Sequence, residues 1–308
     1  MVNNRIGVVF VCHNPEINVF ISNVTSVLTY VGHVIIIDNA SLNQTSLYEN
    51  IPQNDAVNFI AQELNTGIAA GFNTGIRIAR TKGLSYVLLM DQDSSPAPDM
   101  ISKLLSAYNL LLRNNHLVSA VGPTFQDPVT GNVANFITSK SARDCQSDNL
   151  SADGCIPVDY LISSGSLIAL DAIDIIGDMD ELLFIDRVDT EWFFRASAKG
   201  YQAFGVSDAI MLHLLGDKTC KVWLGRWRHV PQHSPLRHYY MFRNSIFLYK
   251  RSYVPLKWKL HDFIVLCYLM LFGLIGMPEP LKRFRMMKRG VLDGIGGKSG
   301  KLVENAGE

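Results

Sequence analysis

Hydrophobic positions open the chain as a run, residues 7–11 (GVVFV), which stops at the polar Cys12-His13-Asn14. A short apolar run ending in a polar turn is the pattern of a strand buried in a parallel sheet. Ile17, Phe20, Ile21, Val24, Val27 and Leu28 then recur at helical spacing across residues 16–28. Residues 34–37, 57–60 and 86–90 read as three more strands. The spacing predicts a helix over 73–82, closed by Gly83 as its C-cap. A further helix lies within 180–200 and ends at Gly200, whereas 125–157 is polar, aperiodic and predicted as loops and irregular strands. Strands alternating with helices predict an α/β fold with a doubly wound sheet. Ligands of such sheets bind beyond the carboxyl ends of the strands. The polar clusters Cys12-His13-Asn14, Asp38-Asn39 and Asp91-Gln92-Asp93 all fall there.

Composition adds a folded core, since 48% of the 308 residues are hydrophobic and 18% charged. The formal net charge of zero conceals an asymmetry. Residues 1–217 hold 11 Lys and Arg against 23 Asp and Glu, whereas 218–290 hold 15 against 2. A basic tail behind an acidic domain points to a polyanionic surface, membrane or nucleic acid. The uncharged run 263–277 (FIVLCYLMLFGLIGM) decides for membrane. A full crossing needs about 20 apolar residues, so this run predicts an interfacial or re-entrant segment, with a buried core helix as the alternative. The five cysteines are odd in number, widely spaced and without CxxC, as expected of free thiols in a reducing compartment. The apolar start is too short for a signal peptide. The expected organisation is a catalytic domain over 1–217 and a basic helical region over 218–308.

Four constellations bear on chemistry. Asp91 and Asp93 lie two apart past a buried strand, where they could share Mg²⁺ or Mn²⁺ and its phosphates; a solvated turn is the alternative. Residues 65–75 (NTGIAAGFNTG) are small enough for close backbone approach to a ligand, or form an ordinary tight loop. Asp186, Asp189 and Glu191 sit among large apolar residues in FIDRVDTEWFFR. A half-buried carboxylate there would have a raised pKa useful to a general base, or would merely cap a helix. His213, in MLHLLGD, could complete a metal site or be structural.

VCHNP, IIIDNAS, NTGIAAGFNTGI, LLMDQDS, SSGSLI and ELLFIDRVDTEWFFRASAKGY occur in one order, followed by MLHLLGD and HYYMFRN. Over about residues 5–250 this order resembles family 2 of the inverting glycosyltransferases. Within that family it looks like the bacterial enzymes that use dTDP-L-rhamnose to build O-antigen and related polysaccharides. The resemblance implies a GT-A fold, a doubly wound mixed sheet, followed by a basic, partly apolar helical tail. It implies that Val11 and His13 line the base pocket, that Asp38 hydrogen-bonds the base, and that Asn65, Gly71 and Asn73 lie along the nucleotide. Asp91 would contact ribose or metal, Asp93 the metal, and His213 the pyrophosphate or metal. Asp189 matches the second acidic position of the family's Glu-Asp motif, the catalytic base. Val188 replaces the preceding Glu, which leaves Asp186 and Glu191 as alternatives.

The expected partners are a nucleotide-sugar donor, a saccharide or lipid-linked acceptor and an anionic membrane, with no nucleic acid. The expected place is the cytoplasmic face of the inner (plasma) membrane, peripheral or monotopic. A UDP-hexose donor is one alternative, and a non-catalytic membrane protein with a decayed transferase fold another. A nucleotidyltransferase would need a basic Gly-rich triphosphate loop near the N-terminus, and no basic residue lies between Arg5 and Arg77.

Overall fold

Strand β1 (Asn3–Cys12) sends Ile6, Val8 and Phe10 to one side and Val9 and Val11 to the other, and all five are buried. The computed structural model that shows this describes residues 3–127, 133–134, 136–138, 154–212, 219–223, 227–231 and 233–303. A strand apolar on both faces is stable only when both are covered. β1 accordingly lies inside the sheet, parallel to β2 (Val31–Asp38), which carries β3 (Val57–Ala61), and to β4 (Tyr86–Asp91). The remaining strands are β5 (Ser95–Pro96), β6 (Val118–Gln126), β7 (Cys155–Val158), β8 (Leu167–Ala169) and β9 (Gln202–Leu212). The order is β3-β2-β1-β4-β8-β6-β9-β5, with β7 on β9. β8 runs antiparallel to β4 and β6, so the sheet is mixed, as expected.

One face of the sheet is covered by α1 (Ile17–Leu28), α2 (Gln44–Asn50) and α4 (Met100–Arg113), through Phe20, Val24, Leu47, Leu104 and Leu111. The other is covered by α3 (Ile68–Thr81), α5 (Leu170–Ile176) and α6 (Val188–Ala198), through Phe72, Ile76, Ile173 and Trp192. Glu16 caps α1 by accepting from the amides of Asn18 and Val19. Helix α3 begins at Ile68, five residues before the sequence-predicted start. Gly67 at φ 90° turns the chain there, and the amide of Ile68 donates to the distant carbonyl of Phe184 at 2.8 Å. No local pattern announces a cap supplied from that far along the chain.

The tail carries a hairpin, β10 (Thr219–Trp223) with β11 (Trp227–Pro231), and then α7 (Pro235–Tyr249), α8 (Leu256–Ile275) and α9 (Pro280–Gly296). The expected boundary at 217/218 lies outside the described residues. Leu248 and Val254 join the core beneath α3 and α6, so the tail is built onto the sheet domain. The apolar run, except for its last two residues, lies in a 20-residue helix, α8, longer than the run itself suggested. By length and composition α8 could cross a membrane. Only Asp262, Leu266 and Gly273 of it are buried, so within this chain it is not a core helix. Cys12 and Cys155 are buried free thiols and Cys267 an exposed one.

Candidate active site

The parallel strands end at one level. Val11 lies opposite Ile37 and Asp91, and Cys12 opposite Asp38, so the sheet lines up Val11, Asp38 and Asp91 along its carboxyl edge. His13 follows, exposed, with its amide donating to Gln92 Oε1 at 2.9 Å and its Nδ1 lying 3.0 Å from the Asn39 carbonyl. The Asp38 carboxylate is fully buried and accepts from the Ser41 amide at 3.2 Å and from Gln44 Nε2 at 2.6 Å. It holds the turn after β2 in shape.

Asp91 ends β4, and its amide donates to Ser164 Oγ at 3.0 Å; Ser164 in turn donates to Ser94 Oγ at 3.0 Å. Burial, followed by the negative charges of Asp93 and Asp189, pushes the Asp91 carboxyl up to about 7, with Arg237 opposing. Three carboxylates from β4, the loop after it and α6 therefore share one field, and it is short of positive charge. That deficit fits a divalent cation: Mg²⁺ and Mn²⁺ accept one or two carboxylates when phosphate oxygens complete the shell. Among the described residues no group of three or more His, Cys, Asp and Glu is arranged to hold a metal by itself. His213 lies outside the described residues.

The three acidic candidates of the 184–195 motif have different surroundings. Glu191 is fully buried and bound by Arg195 Nε at 2.9 Å, by Arg251 at 2.8 Å and by the Tyr253 hydroxyl. Two guanidinium groups and a hydroxyl thus occupy its oxygens, which makes it a structural ion pair. Asp186 is paired with Arg237 at 3.1 Å. Asp189, in the first turn of α6, accepts from the amide and hydroxyl of Thr190. Burial raises its carboxyl above the usual range, against the pull of those hydrogen bonds and of Arg187.

Two expected nucleotide contacts serve the fold in this structure. Gly71 lies inside α3 with its face against β1, where a Cβ would fall 2.7 Å from Val11 Cγ1. Gly75, one turn on, meets Val9 the same way at 2.2 Å. Both glycines let α3 settle on the sheet. Asn73 is 2% exposed and turned inward, bonding both backbone groups of Met179 and donating to Glu181 Oε1 at 2.8 Å. The sequence could not show this, because the partner segment is distant along the chain. Asn65 is half-buried and accepts from the amide of Gly67 at 3.0 Å, shaping the entry to α3.

Sequence reasoning also passed over residues that build the site. Gln92, the middle of the acidic triplet, joins the end of β4 to the His13 loop. Ser164 holds the Asp91 backbone. Arg237 faces the acidic cluster from α7, 51 positions from the Asp186 it pairs with. Asn244 Nδ2 donates to the carbonyls of Leu183, Ile185 and Asp186, at 2.9, 2.7 and 2.9 Å. HYYMFRN marks that helix in the sequence, but nothing in it says what the asparagine grips.

Residues 8–130 match the model of the family described as glycosyl transferase family 2. The chain is 29% identical over 309 residues to the dTDP-rhamnosyl transferase RfbF of Shigella flexneri, with 99% of this chain and 100% of that protein aligned. Among solved structures it is similar to GalNAc-T7 with UDP, GalNAc and Mn²⁺, at a TM-score of 0.59 and 14% identity, over 96% of this chain and 58% of that one. S. aureus TarS 1-349 in complex with UDP-GlcNAc gives a TM-score of 0.56 at 13% identity, over 96% of this chain and 81% of that one. At such identities these two likenesses are of fold: the mixed sheet with its helices is a GT-A fold.

Proposed function

Because the chain carries a glycosyltransferase family 2 domain on a GT-A fold, we propose that it transfers L-rhamnose from dTDP-L-rhamnose to a saccharide or lipid-linked saccharide, inverting the anomeric centre. The observation that carries the transfer chemistry is the place of Asp91 at the carboxyl end of β4, with Asp93 two residues on and the charge of Asp189 felt at its carboxyl. The near-complete alignment with a dTDP-rhamnosyl transferase favours rhamnose over a UDP-hexose.

The acceptor oxygen forms its bond to C1 of the sugar while the bond from C1 to the phosphate oxygen breaks. The hydroxyl proton must leave as this happens. Asp189 takes it, being the acid of its motif without a cationic partner at ion-pair distance among the described residues. Its raised proton affinity suits the task. Asp91 and Asp93 would hold Mg²⁺ or Mn²⁺, with His213 as the expected further contact. The bound ion supplies charge neutralisation for the departing nucleoside diphosphate. Val11 and His13, at the rim of β1, would meet the base.

The proposal extends to the membrane. Leu260, Phe263, Ile264, Leu271 and Ile275 of α8 and Leu281 and Phe284 of α9 are exposed, beside exposed Lys282, Arg285 and Lys288. Apolar side chains interleaved with cations fit an anionic bilayer surface, where each Lys or Arg contributes about 1 kcal/mol. A monotopic enzyme of this kind reaches a lipid-linked acceptor while its donor arrives from the cytoplasm.

A donor screen tests the chemistry. Full-length protein with MnCl₂ is offered dTDP-L-rhamnose, UDP-glucose, UDP-galactose and GDP-mannose, and released nucleoside diphosphate is measured. Turnover of dTDP-L-rhamnose that Asp189→Asn abolishes is the expected result. Preference for a UDP-sugar overturns the rhamnose reading, and no turnover of any donor favours a non-catalytic protein. Flotation with anionic vesicles tests the second part; protein that stays soluble at low salt rejects it.

A further inference from the structure

The turn before Asp189 is strained. Phe184 (φ 65°, ψ −63°) forms a tight γ-turn, with the Ile185 amide donating to the Leu183 carbonyl at 2.8 Å. Asp186 and Arg187 follow at φ 62° and φ 65°. Three non-glycine residues with positive φ within four positions are unfavourable, and persist only where the surroundings impose them. The restraints come from the amide of Ile68, from Asn244 of α7, and from α8.

The restraint from α8 is the least expected. This helix exposes most of its side chains, yet its one acidic residue, Asp262, is only 3% exposed. Asp262 Oδ1 accepts from Arg187, and Oδ2 accepts from the Tyr249 hydroxyl at 2.8 Å. One turn earlier on the same helix, the Trp258 ring lies under the Arg187 guanidinium at 5.4 Å and packs edge-on against Phe194 of α6 at 5.3 Å. α8 therefore grips Arg187 by charge and by an aromatic face. Arg187 is the N-cap of α6, two residues before Asp189, and its carbonyl accepts from the Glu191 amide at 2.9 Å.

We propose that Asp262 is a positioning residue for the transfer reaction: through Arg187 it fixes the strained turn that sets Asp189, tying the base to the helix whose outer face meets lipid. Asp262 touches no reacting group and acts only through Arg187. A buried carboxylate on an otherwise exposed apolar helix is costly unless paired, and here the pairing joins the tail to the first turn of α6. The inference rests on the reading of Asp189 as the base.

Full-length wild type, Asp262→Asn, Asp262→Glu and the double variant Asp262→Asn/Arg187→Gln are compared in two measurements. The first is steady-state turnover of the donor that wild type uses, alongside calorimetric binding of dTDP with MnCl₂. Misplacing a reacting group by about 1 Å costs on the order of 10²-fold. Asp262→Asn is expected to lower kcat 10–100-fold (order of magnitude) with the dTDP Kd within about twofold of wild type. Asp262→Glu should recover part of the loss. The double variant leaves no buried charge unpaired and should stay as slow as the single one. The second measurement is hydrogen exchange, which needs no substrate: amides of residues 183–190 should exchange faster in Asp262→Asn, while those of β1 and β4 stay protected. Unchanged kcat, full recovery in the double variant, or exchange rising evenly along the chain each overturns the proposal. If wild type turns over no donor, the functional reading fails, and the exchange pattern alone decides whether Asp262 fixes the turn.

Discussion

Arg251 reaches Glu191 at 2.8 Å, across 60 positions of chain, and so joins the basic tail to the acidic domain. The same guanidinium also binds Asp180, while Arg195 approaches Glu191 from the other side. Part of the tail's positive charge is therefore spent inside the protein.

This pairing separates two neighbouring acids by experiment. Asp189→Asn is expected to lower turnover by roughly 10²–10⁴-fold, the range for a lost general base, with dTDP binding and melting temperature near wild type. Glu191→Gln leaves two half-buried guanidinium groups undercompensated and should cost on the order of 3 kcal/mol of stability. Thermal melts and kinetics of both variants decide it. A stable, inactive Glu191→Gln together with an active Asp189→Asn would reverse the assignment.

The acidic cluster makes a prediction about metal. EDTA should abolish transfer, and MnCl₂ or MgCl₂ should restore it. Asp93→Ala should be nearly inactive with an intact fold, because Asp93 is exposed and makes no core contact. Full activity in EDTA would show that the cluster works without a cation.

Helix α3 predicts a steric defect. In Gly75→Ala the new Cβ would fall 2.2 Å from Val9 Cγ1, between two elements that have no room to part. Overpacking of this kind costs about 1–3 kcal/mol. The melting temperature should drop by several degrees, and Val9→Ala in the same chain should return part of it. Additive losses in the double variant would argue against the contact.

His238 predicts an acid sensitivity. It is fully buried, and burial, then the charges of Arg283, His233 and Arg237, lower its pKa to about 4. An unfolded histidine titrates near 6.5. Between those values the unfolded chain binds more protons than the folded one, so stability falls as pH falls from about 6.5 toward 4. The contribution is at most about 3 kcal/mol. Urea unfolding at pH 7 and pH 5 should show a smaller difference for His238→Phe than for wild type. Equal differences would assign the acid sensitivity to other groups.

The sequence by itself determined the strands of the parallel half, the helix of residues 17–28 and the acidic candidates, because each depends on neighbours along the chain. Residues 7–11 must be buried on both faces, and polar residues that end such strands must gather at one edge. Order of motifs was enough to indicate a resemblance to glycosyl transferase family 2, whose model matches residues 8–130. Which acid is left without a cationic partner was decided only in three dimensions. Asp186, Asp189 and Glu191 are alike in sequence, but Arg237 of α7 pairs with Asp186, while Arg195 of the same helix and Arg251 from beyond α7 pair with Glu191. Tertiary packing likewise turned Gly71 and Asn73 toward β1 and Met179, and gave α8 a buried Asp262. Electrostatic compensation and close packing depend on distance in space, which hydrophobic period does not encode.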